Sequence, residues 1–358
     1  MKSRQFCVPA LIIILGVACA GVVSCSKSSN PAAEKGGGGL SLIGAGATFP
    51  YPIYSKWVDE YHKSHPDVAI NYQSIGSGGG IRQVLAGTVD FGASDGPMTD
   101  EQIQQFQRQR GCDVLHFPTV LGADVPSYNL PGIQAELNFT PEALAAIFMG
   151  TVNKWNDPLL TKANPGINLP SDNIVVVHRS DGSGTTYVWT DYLSKISEEW
   201  RSKVGKGTSV NWPVGLGGKG NEGVSGLISL TPDSIGYIEL IYAVQNHLAY
   251  GRVRNSSGNF IKADLNSVTV AAAEAAQSMP EDFRVSLTDA PGKEAYPVSS
   301  FTWLLVPSRI QDPQKKQAIV DFLRWMLADG QNLVEALAYA RLPQQVVAKE
   351  TQAISRVQ

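Results

Sequence analysis

The chain has 358 residues, 43% hydrophobic and 17% charged, with 35 glycines and 21 prolines. That is enough apolar sequence for about two domains of ~150 residues, and it excludes disorder, a collagen-like repeat and a small disulfide scaffold. Lys and Arg total 29 against 32 for Asp and Glu, so the formal charge of -3 offers no electrostatic footprint for duplex nucleic acid or anionic lipid, and an anion site would have to be local.

Lys2 and Arg4 precede an uncharged run from Ala10 to Val23 that has the length of a signal-peptide core and is short for a membrane span. It ends in Val22-Val23-Ser24-Cys25, which resembles the bacterial lipobox, where the cysteine receives diacylglycerol as the leader is cut. Residues 1–24 are therefore expected to be a lipoprotein signal peptide, and 25–39, with the run SKSSNPAAEKGGGG, a flexible lipid-anchored linker. A retained anchor and a soluble cleavage are the competing readings, because no charge intervenes between Arg4 and Lys27. Loss of the leader removes Cys7 and Cys19, and with Cys25 lipidated only Cys112 is left, so no intramolecular disulfide is expected. Cys112 reads as a structural or surface thiol.

Beyond the linker, β-rich runs alternate with helical patterns, which predicts βαβ units and a parallel sheet. The predicted strands are Leu40–Gly44, Val68–Ile75, Val89–Ala93, Val114–Leu121, Ile174–His178, Ile235–Leu240 and Trp303–Val306. Between them Ile53, Trp57, Val58 and Tyr61 recur at helical spacing, as do Val188, Tyr192, Leu193 and Ile196. Ile81 to Ala86 and the amphipathic Gln317 to Ala328 are further helices. Two lobes of roughly 150 residues each are expected.

Three loops rich in Gly, Ser and Thr lie where a predicted strand gives way to a helix: Gly44 to Pro50, Gly76 to Gly80, and Asp181 to Thr186. A helix N-terminus presents unpaired N–H groups and about half a positive charge, so small residues there make a ready oxyanion site. Ordinary turn and capping chemistry explains any one of them. Three together point to a ligand. Asp95 and Arg179 stand at the carboxyl ends of two predicted strands, where open α/β sheets bind ligands, and a guanidinium suits an oxyanion while a carboxylate suits one only if the anion carries a proton. The pair reads alternatively as a plain salt bridge.

No nucleotide or hydrolase pattern is complete. Gly76 to Ile81 lacks the third Gly of G-x-G-x-x-G, Gly215 to Gly220 is followed by no Ser or Thr after its Lys, and Asp181 stands where G-x-S-x-G needs Gly. His62, His65, His116, His178 and His247 show no metal-binding spacing. No metal and no cofactor are expected.

The runs GAGATFPYPIYSKW (44–57), YQSIGSGGG (72–80), VDFGASDGPM (89–98), HFPTV (116–120), HRSDGSGTTYVWTDYL (178–193), WPVGLGGKGNEGV (212–224) and SIGYIE (234–239) resemble, in this order, the substrate-binding proteins of high-affinity bacterial phosphate ABC transporters. The resemblance runs from about Leu40 to the end. It implies an α/β, two-lobed type II periplasmic-binding-protein fold with the ligand cleft between lobes, lobe I comprising 40–119 and 297–358 and lobe II 120–296. It also implies phosphate contacts from Thr48, Phe49, Ser77, Asp95, Arg179, Asp181, Ser183, Gly184 and Thr185. Gly78 stands where family members often have a second Ser, and His178 where they often have a basic residue.

The expected function is to bind inorganic phosphate and deliver it to the membrane permease subunits of an ABC-type phosphate transporter, from the outer side of a bacterial membrane to which a lipid on Cys25 holds the chain. No enzymatic activity is expected. A receptor for sulfate or molybdate is one alternative, against which Asp95 speaks. A phosphatase-like enzyme is the other, and Ser183 lacks an evident His partner for it.

Overall fold

The computed structural model describes residues 39–358. The expected signal peptide, Cys25 and nearly all of the linker lie outside the described residues, and no helix within them is long and apolar enough to cross a membrane.

All seven expected strands form. The main sheet contains β1 (Leu40–Gly46), β2 (Val68–Ser74), β3 (Phe91–Ser94), β4 (Val114–Asn129), β5 (Val175–Arg179), β6 (Leu216–Gly218), β7 (Ser234–Glu239) and β8 (Ser299–Pro307). Their order is β2-β1-β3-β8-β4-β7-β5-β6. β1 runs parallel to β2 and β3, and β5 parallel to β6 and β7. The expectation of a parallel sheet is corrected at the centre: β8 is antiparallel to both β3 and β4, and β4 is antiparallel to β7. The reason is that β4 is one long strand serving two half-sheets. It pairs with β8 through Ala123 and with β7 from Asp124 onward.

β4 outruns its predicted end at Leu121 because Asp124 and Ser127 look like a break, yet both are buried. Strands covered on both faces lose the polar alternation that marks a half-exposed strand. Pro118, which cannot donate to a ladder, pairs with Trp303 beside the register shift, and the next pair is Val120 with Thr302, so the irregularity falls where an N–H is missing. β6 was not expected, since Leu216-Gly217-Gly218 carries little β propensity.

Helices lie where apolar residues recur. α1 (Tyr51–Ser64) buries Ile53, Trp57 and Tyr61, and Trp57 Nε1 donates to Gly330 O at 2.8 Å. α2 (Ser77–Ala86) follows β2, and α3 (Gly184–Ile196) follows β5. α4 (Gly220–Leu230) follows β6. The helix expected over Gln317 to Ala328 starts at Pro313, four residues earlier, because Asp312 caps it by accepting from Gln314 and Lys315 N–H.

His116, in β4, is buried, and its Nε2 accepts from Met98 N–H at 3.2 Å. Burial, with Arg284 adding to it and Asp282 opposing, pushes its pKa down to about 3. The folded chain therefore holds fewer protons here than the unfolded one below the ordinary His value, so this stability is present above about pH 6.5 and is lost as pH falls toward about 3. His116→Gln, which retains an acceptor for Met98, is expected to flatten that part of the pH profile of denaturant unfolding. A variant that loses stability as steeply as the parent over this window would contradict the assignment.

Candidate functional site

Four strand-to-helix junctions converge at the carboxyl ends of β1, β2, β5 and β6, joined by the end of β3. Three carry the loops singled out by sequence. The fourth, Lys219-Gly220-Asn221 at the start of α4, overlaps the incomplete phosphate-loop pattern and the run 212–224, and none of its three residues is among the expected contacts.

The β1–α1 junction places Thr48 and Phe49, both buried. Tyr242 Oη donates to Thr48 O and Tyr339 Oη to Phe49 O, each at 2.6 Å, so the carbonyls are turned away and tied down. The Phe49 ring packs on Tyr339 in the core, which leaves its backbone N–H as the group that can meet a ligand. Pro50 stands at the N-cap.

At the β2–α2 junction Gly76 has φ +84, which an L side chain rarely adopts. Gly78 N–H donates to Gly182 O at 2.8 Å, directly bridging the second and third loops. A Cβ on Gly78 would lie 3.0 Å from Gly182 Cα, so the absence of a side chain here lets the two loops approach closely. Ser77 is fully buried, and its Oγ lies 3.4 Å from Asp95 Oδ2 and accepts from Asp95 N–H at 3.3 Å.

Asp95 follows β3 and is buried, with Oδ1 accepting from Thr302 Oγ1 at 2.7 Å. Burial pushes its carboxyl up to about 7 against the pull of Thr302, Arg179 and Ser77. Asp124 and Glu239, directly opposite each other across β4 and β7, are buried nearby and raised well above the usual carboxylate range, chiefly by desolvation. Their burial works against the ionised form of each carboxyl.

Arg179 ends β5. Its Nε and Nη2 donate to Asp181 Oδ1 and Oδ2 at 2.8 and 2.6 Å, and its Nη1 donates to Thr185 Oγ1 at 3.1 Å. The ion pair is thus with Asp181, and the simple Asp95–Arg179 salt bridge does not form. Burial would raise the Asp181 carboxyl, but Arg179 and the Gly220 N–H, 3.0 Å from Oδ1, hold it below the usual carboxylate range. Ser183 caps α3: its Oγ accepts from Thr186 N–H at 3.0 Å and its own N–H donates to Thr208 O. Gly184 and Thr185 open the helix, and a Cβ on Gly184 would collide with Asp95 Oδ2 and Ser77 Oγ, so the α3 N-terminus and the Ser77–Asp95 pair are in contact. Among the described residues no acceptor is bonded to the backbone N–H of Phe49, Ser77, Gly184 or Thr185.

All nine residues singled out by sequence therefore meet, Phe49 through its backbone and Ser183 with its side chain engaged as a cap. Two partners were missed: Thr302, in a strand with no motif of its own, and Asn221, whose Nδ2 reaches Thr48 Oγ1 at 2.8 Å and Thr185 Oγ1 at 3.1 Å. The chemistry available is binding of a small anion by a guanidinium, hydroxyls and helix N-terminal N–H groups, with one carboxyl facing them.

The Arg179 side chain is 1% exposed and that of Asp181 13%, so Asp181→Ala leaves a buried cation unpaired. It is expected to cost about 3–5 kcal/mol in denaturant unfolding, and Asp181→Asn, which retains one acceptor, less. Unfolding of the Ala variant within about 0.5 kcal/mol of the parent would contradict the pair's role.

The PBP superfamily domain matches residues 28–330. The phosphate-binding protein PstS of Pasteurella multocida is 46% identical over 310 residues, covering 86% of this chain and 88% of that one. That of Xylella fastidiosa is 41% identical over 328 residues, covering 91% and 88%. A solved high-affinity periplasmic phosphate-binding protein bound with phosphate superposes with a TM-score of 0.69 at 18% identity, covering 87% of this chain and 93% of that one, and so shares the fold. The chain has the two-lobed periplasmic binding protein fold and belongs to the family of the phosphate-binding proteins PstS.

Proposed function

We propose that this chain binds inorganic phosphate in the cleft between its lobes and delivers it to the permease subunits of an ABC-type phosphate transporter. The observation that carries this reading is the composition of the site: Arg179, the hydroxyls of Thr48, Ser77 and Thr185, and unbonded helix N-terminal N–H groups lie around the buried carboxyl of Asp95. Such a set suits a tetrahedral oxyanion that carries a proton. Phosphate near neutral pH does, and sulfate does not. The relatives from Pasteurella multocida and Xylella fastidiosa are phosphate-binding proteins by name, which supports the same ligand.

The lobes of this reading are 40–119 with 297–358, and 120–296. The change of β4 pairing between Ala123 and Asp124, and the bond from Asp124 N–H to Val298 O, support crossings close to those limits. Phosphate contacts are assigned to Thr48, Ser77, Asp95, Arg179, Ser183 and Thr185 and to the N–H groups of Phe49 and Gly184, with Asp181 holding Arg179 in place. Residues 1–24 act as a lipoprotein signal peptide, and Cys25 carries the lipid that anchors the exported chain. Binding rather than phosphoryl transfer is favoured by the engagement of Ser183 Oγ as the cap of α3.

Calorimetric titration of the ligand-stripped protein should show tight binding of phosphate and much weaker binding of sulfate. Arg179→Ala removes charge-assisted bonds worth about 1.5–3 kcal/mol, so phosphate affinity should fall roughly ten- to a hundredfold or more. Unaltered affinity would remove Arg179 from the site.

An ionised Asp95 repels sulfate, while a protonated one can donate to it. Two unit charges about 4 Å apart interact by about 4 kcal/mol at an effective dielectric of 20. With the Asp95 carboxyl at about 7, sulfate should therefore compete better at about pH 5 than at about pH 8, and Asp95→Asn should lose most of that pH dependence. Equal sulfate competition at both pH values in the parent would contradict the role of the carboxyl.

A further inference from the structure

Asn221, the second residue of α4, falls within the run 212–224 without being among the expected contacts, yet it is fully buried and engages all its polar side-chain atoms at the site. Its Nδ2 lies 2.8 Å from Thr48 Oγ1 and 3.1 Å from Thr185 Oγ1, and its backbone N–H lies 3.3 Å from Thr48 Oγ1. Its Oδ1 accepts from Glu239 N–H at 3.0 Å.

The direction of every one of these bonds is fixed by groups that can act in one sense only. A backbone N–H donates, so the atom facing Glu239 is the amide oxygen, and the amide nitrogen faces the threonines. Thr48 Oγ1 then accepts twice, from the amide nitrogen and from the backbone N–H of Asn221. Thr185 Oγ1 also accepts twice, from the amide nitrogen and from Arg179 Nη1, which has no lone pair to offer. A hydroxyl has two lone pairs and one proton. With both lone pairs engaged, each threonine has only its proton left for a ligand.

We propose that Asn221 is a positioning residue that sets the polarity of the anion site, clamping Thr48 and Thr185 so that both hydroxyls act only as donors. The proposal rests on the phosphate reading and deepens it. A threonine free to rotate would accept from a protonated anion as readily as it donates. With both clamped, acceptance of the ligand's proton falls to Asp95, whose Oδ1 is already held by Thr302 and whose Oδ2 faces Ser77 and Gly184. The clamp also joins the β1–α1 loop to α3, so the two threonines are aimed together.

The test is a double-mutant cycle read by calorimetric titration with inorganic phosphate. Asn221→Ala is placed in the wild-type chain and in a Thr48→Val/Thr185→Val background, with ligand-free melting to verify folding. In the wild-type chain it should weaken phosphate binding by about tenfold or more. In the valine background, where no hydroxyl is left to orient, the same change should alter affinity by less than about twofold. Equal losses in the two backgrounds mean that Asn221 acts by packing and overturn the proposal, as does an unchanged affinity in the wild-type chain.

Asn221→Leu fills the same space without a donor and should behave as Ala does in both backgrounds. Restored affinity with Leu would overturn the proposal, and if the Ala variant does not fold, the Leu pair decides. Failure of the parent chain to bind phosphate would count against the phosphate reading itself. A parent that binds while Asn221→Ala binds equally well counts against the clamp alone.

Discussion

A guanidinium buried to 1% exposure must be neutralised and its N–H groups bonded, and the site is organised around meeting that demand for Arg179. Asp181 takes two of its nitrogens and Thr185 a third. The N-terminus of α4 then stabilises Asp181 through Gly220 N–H, and Asn221 bonds Thr185 from the same helix. The cation is thereby fixed at the end of β5, with the N-terminus of α3 beside it. A charge held in place this way, in surroundings of low polarity, acts on an anion far more strongly than the same charge in water.

The opposite problem is set by the carboxyls. Asp95 and Asp124 are buried within reach of Arg179, with Glu239 buried opposite Asp124, and three ionised groups would oppose the attraction for an anion. Desolvation answers this unevenly. Asp124 and Glu239 are pushed well above the carboxylate range, while Asp95, bonded to Thr302 and Ser77 and drawn by Arg179, stays near neutrality. Of the three, Asp95 is the carboxyl in contact with the site's hydroxyls and the one placed to accept a hydrogen bond from a protonated ligand, and the donors around it are fixed rather than adaptable.

Much of this was legible in the sequence. The three glycine-rich junctions, Asp95 and Arg179 stood out because small residues between a strand and a helix leave donors uncovered, and every one of them lies at the site. The family resemblance added which oxyanion to expect. What escaped notice escaped for physical reasons. Asn221 and Thr302 act through side chains whose roles depend on neighbours more than 150 residues away for Thr48 and more than 200 for Asp95, which no local pattern encodes. β4 outran its prediction because burial on both faces removes the polar alternation that marks strand limits, and with it went the antiparallel centre of the sheet. Arg179 and Asp181 were both expected at the site, but spacing alone could not show that they pair with each other and leave Asp95 free of the salt bridge.

Thr48, Ser77 and Asp95 come from one half-sheet and Arg179, Thr185 and Asn221 from the other, with Gly78 N–H bonded to Gly182 O across them. A site so fully buried admits a ligand only if the halves separate. The most direct test is solution scattering of the ligand-stripped protein with and without phosphate. A radius of gyration that falls on saturation is the expected result. An unchanged radius, with phosphate shown to be bound, would contradict closure around the anion.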